Sequence, residues 1–310
     1  MRLLFSTFAA ALSFAIPAFA TETSDLLERA INFGAAAEWN QPQEPLRIYG
    51  DTYYVGVAGL SSILIVTDAG LILIDGDLPQ SVALIEGNIR KLGFSVEDIK
   101  LILNTHAHFD HAGGIAALQR DSGAIAVASP SGANSLRQGH IVADDPQVAI
   151  TEAATFPAVA NVREVHDGEI LRLGKSAVTA HFTPGHTPGS TTWAWTSCEN
   201  ERCLNIVYAD SLTPISGPGF HFLADASHKD LTTGFRKSIR TVANLPCDIL
   251  ISVHPEVAGL PEKIARQLAR QLAPASPNPF VDKQACRKYA SVMEAKLDAR
   301  IHEEKSAATH

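Results

Sequence analysis

Past residue 20 the sequence has no apolar run long enough to cross a membrane, which takes about 20 residues. It has no Pro/Gly/Ser-rich linker near its middle and no long charge run. Nothing therefore divides residues 21–310, and one domain is expected there. Basic patches are missing too. Without the first twenty residues the chain carries 24 basic and 33 acidic side chains, a net charge of −9. That balance argues against nucleic acid or an anionic membrane as partner. Cysteine is scarce, with four residues and no CxxC pair, which removes the zinc-ribbon reading.

The first twenty residues differ from the rest. Arg2 is their single charge, Leu3 to Ile16 is nearly all apolar, and Pro17 interrupts any helix. The stretch closes on Ala18-Phe19-Ala20, the small-residue pattern that signal peptidase cuts. Residues 1–20 are expected to be a signal peptide, and the mature protein to be secreted into the periplasm. An oxidising compartment permits disulfides. Cys198 and Cys203, five apart, have the reach to staple a short hairpin, and Cys247 would then pair with Cys286. Three pairings are formally possible.

Short apolar runs at 47–49, 52–55, 62–66 and 71–74 alternate with turn signals and read as antiparallel strands. A helix is expected over 79–92 and a strand over 99–103. The segment 113–119 reads as a helix and 124–128 as a strand. In the second half, strands are expected at 178–183, 190–195, 204–209 and 249–253. Helices are expected at 231–245, 263–272 and 281–301. Residues 140–161 have no firm period and read as a long loop. Sheets followed by helices, twice over, suggest two sheets face to face with helices outside. Trp193 and Trp195 share one face of a strand, which points to core packing.

Chemistry gathers after the strand Leu101-Ile102-Leu103. Within six residues stand His106, His108, Asp110 and His111. On an extended strand end His106 and His108 point to one side. Imidazole and carboxylate are ligands zinc accepts, and a metal site is the simplest reason to collect them. Two later histidines also sit at strand ends. His186 lies in the turn Thr183-Pro184-Gly185-His186-Thr187-Pro188-Gly189, and His254 follows the strand ending at Val253. Strand ends on one edge of a sheet converge, and α/β-type sites form there. His181 lies inside a strand and reads as a core or surface residue. Asp75 and Asp77 read either as surface turn residues or as groups that orient the histidines from behind.

The HxHxDH motif at 106–111, with His186 and His254 in their settings, resembles the metallo-β-lactamase superfamily. Both ligand sets keep histidine with no cysteine, and the position where some relatives place a cysteine ligand is taken here by Ser211. With the Cys247/Cys286 pair and the export signal, this resembles subclass B3, over roughly residues 45–300. The resemblance implies an α+β fold, an αββα sandwich of two mixed sheets, with the site at one sheet edge. It implies two Zn2+ per chain: His106, His108 and His186 on the first, Asp110, His111 and His254 on the second. The implied reaction is attack of a zinc-bound hydroxide on the β-lactam amide, with Asp110 as the catalytic contact for the nucleophile. Ser211 and Thr213 would hold the substrate carboxylate. From the loop reading, Gln147 is a further substrate contact. A small-molecule β-lactam is thus the implied partner of a monomer that confers antibiotic resistance. Two alternatives stay open. In related thioesterases an aspartate bridges the metals, and Asp210 stands close to that place, so a thioesterase or lactonase is one. A non-catalytic zinc-binding protein is the other, and its metal sites would be closed.

Overall fold

The computed structural model describes residues 26–225, 228–272 and 276–307. The signal-peptide assignment at 1–20 lies outside the described residues. No helix among the described residues is long and apolar enough to cross a membrane.

Among the described residues, twelve strands form two sheets. The first contains β1 (Leu46–Tyr49), β2 (Thr52–Tyr54), β3 (Ile63–Thr67), β4 (Gly70–Ile74), β5 (Ile99–Leu103), β6 (Ile125–Ala128) and β7 (Val162–Glu164), in that spatial order. The second contains β8 (Ile170–Leu173), β9 (Ser176–Phe182), β10 (Thr191–Glu199), β11 (Arg202–Ala209) and β12 (Ile249–Ser252), in the reverse spatial order. Pairing is antiparallel from β1 to β4 and parallel from β4 to β7. In the second sheet it is antiparallel up to β11, while β11 and β12 run parallel. Both sheets are mixed, as expected.

Alternation along the strands decides which layer each side chain enters. Ile63, Ile65, Ile72 and Ile74 of the first sheet meet Val178, Trp193, Trp195, Ile206 and Ile251 of the second in one core between the sheets. Leu64, Leu71, Leu73 and Ile102 point the other way. They are covered by α2 (Val82–Lys91), α4 (Ile115–Ser122) and α5 (Pro130–Gln138). On the outer face of the second sheet, Val207, Ala209 and Leu250 meet α6 (Thr232–Asn244) and α8 (Ala285–Ala307). Three further α-helices among the described residues are short or peripheral: α1 (Ala36–Trp39), α3 (Phe109–Ala112) and α7 (Leu260–Leu272). The layers run helix, sheet, sheet, helix, which is the αββα sandwich.

Parallel strands end on the same edge. The C-terminal ends of β4, β5 and β6 therefore lie together, as do those of β11 and β12. Hydrogen bonds between the two sheets align these edges. Thr191 N donates to Thr105 O at 2.8 Å, Trp193 Nε1 to Asn104 O at 3.2 Å, and Ser61 N to Val253 O at 2.9 Å.

Two disulfides tie the second sheet. Cys198–Cys203 closes the β10–β11 hairpin and Cys247–Cys286 joins the approach to β12 to α8. Asp75 and Asp77 are not surface turn residues, because both are fully buried. The turn after β4 dives under β5 rather than toward solvent. There Asp75 accepts from Thr105 N at 2.8 Å and Thr105 Oγ1 at 2.7 Å, while Asp77 accepts from Ser62 Oγ at 2.8 Å.

Candidate metal centre

Four chain segments deliver the site. β5 runs into an extended stretch that carries His106 and His108, and His108 sits at the start of α3. α3 is a single turn, closed by His111 N donating to His108 O at 3.1 Å. That turn swings Asp110 and His111 back toward the strand end. Its exit needs glycine, since a Cβ at Gly114 would lie 2.2 Å from Gly76 O.

His186 occupies the turn between β9 and β10. Gly185 before it has φ +155°, and a Cβ there would lie 2.3 Å from the Phe235 ring. Only glycine lets α6 close on this turn. Ser238 Oγ from the same helix donates to Pro184 O at 2.6 Å. His254 leaves the end of β12, and its ring meets Trp39 at 5.1 Å between centroids.

These segments bring the six expected residues together. The rings of His106, His108 and His186 lie 4.7–5.0 Å apart by centroid and meet edge to face. His106, His108 and His186 form one buried triad able to hold a cation, and His106, Asp110 and His111 form another. His254 joins through Asp110, whose Oδ2 lies 3.3 Å from both His254 Nε2 and His111 Nε2.

In the first triad the far ring nitrogen of each histidine is engaged. Asp210 Oδ1 lies 2.6 Å from His106 Nδ1. Both oxygens of Asp145 lie 3.2 Å from His108 Nε2. Thr213 O lies 2.8 Å from His186 Nδ1. A proton held on each far nitrogen leaves a lone pair on the inward one, the usual support for a metal-bound imidazole. His106 Nε2 and His111 Nδ1 are buried with no hydrogen-bond partner. An orphaned buried nitrogen costs about 1–3 kcal/mol, and a metal ion would satisfy it. The residues present fit a bound metal.

The electrostatics agree. Burial, then the neighbouring His106 and His108, push His186 down to about 3. Burial also holds His106 and His111 well below the ordinary imidazole value. Burial opposes ionisation of Asp110, but His111 and His254 overcome it and hold the carboxyl well below its usual range. Neutral imidazoles beside an ionised carboxylate are the protonation states a metal requires. Burial lowers His108 and His254 as well, yet Asp145 and Asp110 respectively outweigh it and raise both.

Gln147 reaches the cluster, its Nε2 3.4 Å from His186 Nε2. Ser211 and Thr213 hydrogen-bond each other at 2.8 Å, and Thr213 Oγ1 lies 3.2 Å from His186 Nδ1. Asp210 belongs to neither triad, because it faces the far nitrogen of His106. Asp145 and Trp39 were not foreseen. Asp145 sits in the aperiodic loop, where only its neighbour Gln147 drew notice, and Trp39 lies outside any sequence pattern. His140, His166, His181, His221, His228 and His302 join neither triad.

The family model of the metallo-beta-lactamase superfamily matches residues 55–194. Among solved structures, MEM-A1, a subclass B3 metallo-β-lactamase from a soil metagenome library, is 46% identical. The match covers 87% of this chain and 99% of that one, with a TM-score of 0.81. The Rm3 metallo-β-lactamase is also 46% identical over 88% of this chain and 99% of its own, with a TM-score of 0.83. A hydroxyacylglutathione hydrolase of Maricaulis maris (strain MCS10) is 34% identical over 91 residues. That is 29% of this chain, which thus spans 27% of the relative's length. Identity of 46% across 99% of two metallo-β-lactamase chains, one of them described as subclass B3, is far more than a shared fold requires. The chain belongs to the metallo-β-lactamase superfamily and, within it, to subclass B3.

Proposed function

We propose that the protein hydrolyses the amide bond of β-lactams with two zinc ions. His106, His108 and His186 would hold the first, and Asp110, His111 and His254 the second. When bound, zinc supplies a Lewis acid for the carbonyl and lowers the pKa of water from about 15.7 to about 7. The chain's own residues do the rest. Asp110, kept ionised, offers a carboxylate oxygen that orients the attacking water and can take its proton. The hydroxyls of Ser211 and Thr213 are paired at 2.8 Å and donate to the substrate carboxylate. The Gln147 amide, beside His186, borders the bound substrate.

The observation that carries the reading is the first triad, three buried imidazoles whose far nitrogens are each held by an oxygen. The thioesterase or lactonase reading drew on Asp210 as a bridge between metals. The 2.6 Å contact of Asp210 with His106 Nδ1 favours a positioning role instead. Export to the periplasm, one domain over residues 21–310 and a monomeric state belong to the same proposal. The leader pattern and two disulfides support export.

The test is hydrolysis of a carbapenem by the purified protein with zinc, with chelator, and as His186→Ala. Turnover with zinc, lost in the other two samples, supports the reaction and the first-site assignment together. A folded protein that holds two zinc ions and turns over no β-lactam class would end the proposal.

A further inference from the structure

Residues 31–41, ahead of β1, are tied down at both ends. Ile31 N donates to Gln80 Oε1 at 3.0 Å, and Ile31 O accepts from Gln80 Nε2 at 2.8 Å, so one side-chain amide pairs both backbone groups. At the other end Ser81 Oγ donates to Asn40 Oδ1 at 2.7 Å. Ile31, Phe33 and Trp39 are partly buried against the core on the α2 and α4 side of the first sheet. The regular structure of the segment is the single turn α1, too short to hold itself, so these contacts fix its place.

Two aromatic side chains carry the segment onto the metal centre. Phe33 meets Phe109 edge to face, with centroids 6.0 Å apart, and Phe109 precedes Asp110 in α3. Trp39 meets the His254 ring at 5.1 Å. Both contacts fall on the second ligand set, Asp110, His111 and His254.

Behind His254 the segment reaches further. Nε2 of His254 faces Asp110, and a hydrogen bond to the Gly59 backbone carbonyl takes the other ring nitrogen, Nδ1. Gly59 is thus the counterpart of Asp210, Asp145 and Thr213 behind the first triad, an oxygen that fixes tautomer and ring orientation. This oxygen belongs to the loop 55–62 between β2 and β3, and a loop carbonyl is only as fixed as its loop. Residues 39–41 fix it. Gly59 N donates to Trp39 O at 3.0 Å and Ala58 N to Gln41 O at 2.9 Å. Trp39 packs so closely that a Cβ at Gly59 would lie 2.6 Å from its Cα and from its Cδ1. The His254 side chain is 20% exposed, against 1% for His106 and 7% for His108, so it has less packing of its own to hold it.

We infer that residues 31–41 are a strap that positions His254 through Trp39 and Gly59, and so sets the affinity of the second metal site while leaving the first unchanged. The inference rests on the two-zinc reading and deepens it. Trp39 is a positioning residue, acting through the ligand it packs on and through the loop that holds that ligand.

The experiment titrates zinc into the metal-free protein against a chromophoric chelator, for the parent, Trp39→Ala, Trp39→Phe and Gly59→Ala. Competition separates the two binding steps, and the first serves as a reference within the same molecule. In Trp39→Ala the second step should weaken about 10–100-fold and the first by less than about threefold. Trp39→Phe keeps a ring against His254 and should recover most of the loss. Gly59→Ala keeps the indole but forces it away from the loop, and should reproduce the loss. Nitrogen–proton correlation spectra of the imidazoles give a second readout on the zinc-loaded protein. The Nδ1–H signal of His254 should be lost to exchange with water in Trp39→Ala, while that of His186, bonded to Thr213 O, persists. A second step equal to the parent's in Trp39→Ala or Gly59→Ala, or two steps that weaken together, would overturn the strap and leave the two-zinc reading intact. A parent protein that binds fewer than two zinc ions would remove both.

Discussion

Asp145 holds His108 Nε2 with both oxygens at 3.2 Å, and one of these also accepts from Gln147 N at 2.8 Å. One carboxylate thus sets a ring orientation and the shape of the loop that carries Gln147. Asparagine at 145 keeps the volume but removes the charge and half of the acceptor capacity. Metal affinity of Asp145→Asn should fall about 10–100-fold, the usual cost of losing such a support. Titration against a chromophoric chelator measures this without any substrate, and unchanged affinity would show that Asp145 only shapes the loop. The candidate ligands were legible because HxHxDH is dense and follows a buried strand. Asp145 was not, since an acid in a loop looks the same in sequence whether it faces water or a histidine. For the same reason the sequence does not separate the two readings of Asp75 and Asp77. Burial is decided by what covers a turn, here β5 and Ser62.

Helix α8 was expected at 281–301 and runs from Ala285 to Ala307. Asp282 delays its start, accepting from Gln284 N at 2.9 Å in a turn ahead of the helix. Its far end is functional in packing. Glu304, 6% exposed, accepts from Phe222 N at 2.9 Å and Leu223 N at 3.0 Å and pairs with Arg300 Nε at 2.8 Å. Those contacts hold the segment that carries Phe220. Burial raises the Glu304 carboxyl, but Arg300 and the two backbone amides outweigh it, and the net shift is downward. A carboxyl with a lower value folded than unfolded stabilises fully above its unfolded value of about 4.3, and loses that contribution as pH falls through the folded value. Glu304→Gln should cost about 1–2 kcal/mol at pH 7. In denaturant titrations the gap to the parent should close below about pH 4; a gap independent of pH would contradict the assignment. Helix α5 went unread although Ser129 and Pro130 mark its start, because Ala133 and Leu136 are its only buried apolar side chains. Strands β7 and β8 have three and four residues, too short for a period to show.

At the scale of the molecule, six residues from distant parts of the chain meet where two sheets end on a common edge. Leaving those imidazoles buried without a cation is costly, so metal binding and folding should be linked. A metal held at about a thousand times its Kd adds about 4 kcal/mol to stability, which for a chain of this size raises Tm by roughly 10 °C. Calorimetry of the loaded and chelated protein checks this, and equal Tm values would show that the sites bind too weakly to matter. The sequence by itself determined the layers and the ligand types, because strand alternation and the HxHxDH motif are local patterns. It also marked His186, in a turn between two strands, and His254, at the end of an apolar strand. Tertiary structure alone decided what stands behind the ligands. Asp145, Asp210 and Thr213 reach their histidines across 27 to 104 residues of chain. Contacts at that separation follow from how the sheets stack and which edge their parallel strands share, and no local pattern encodes them.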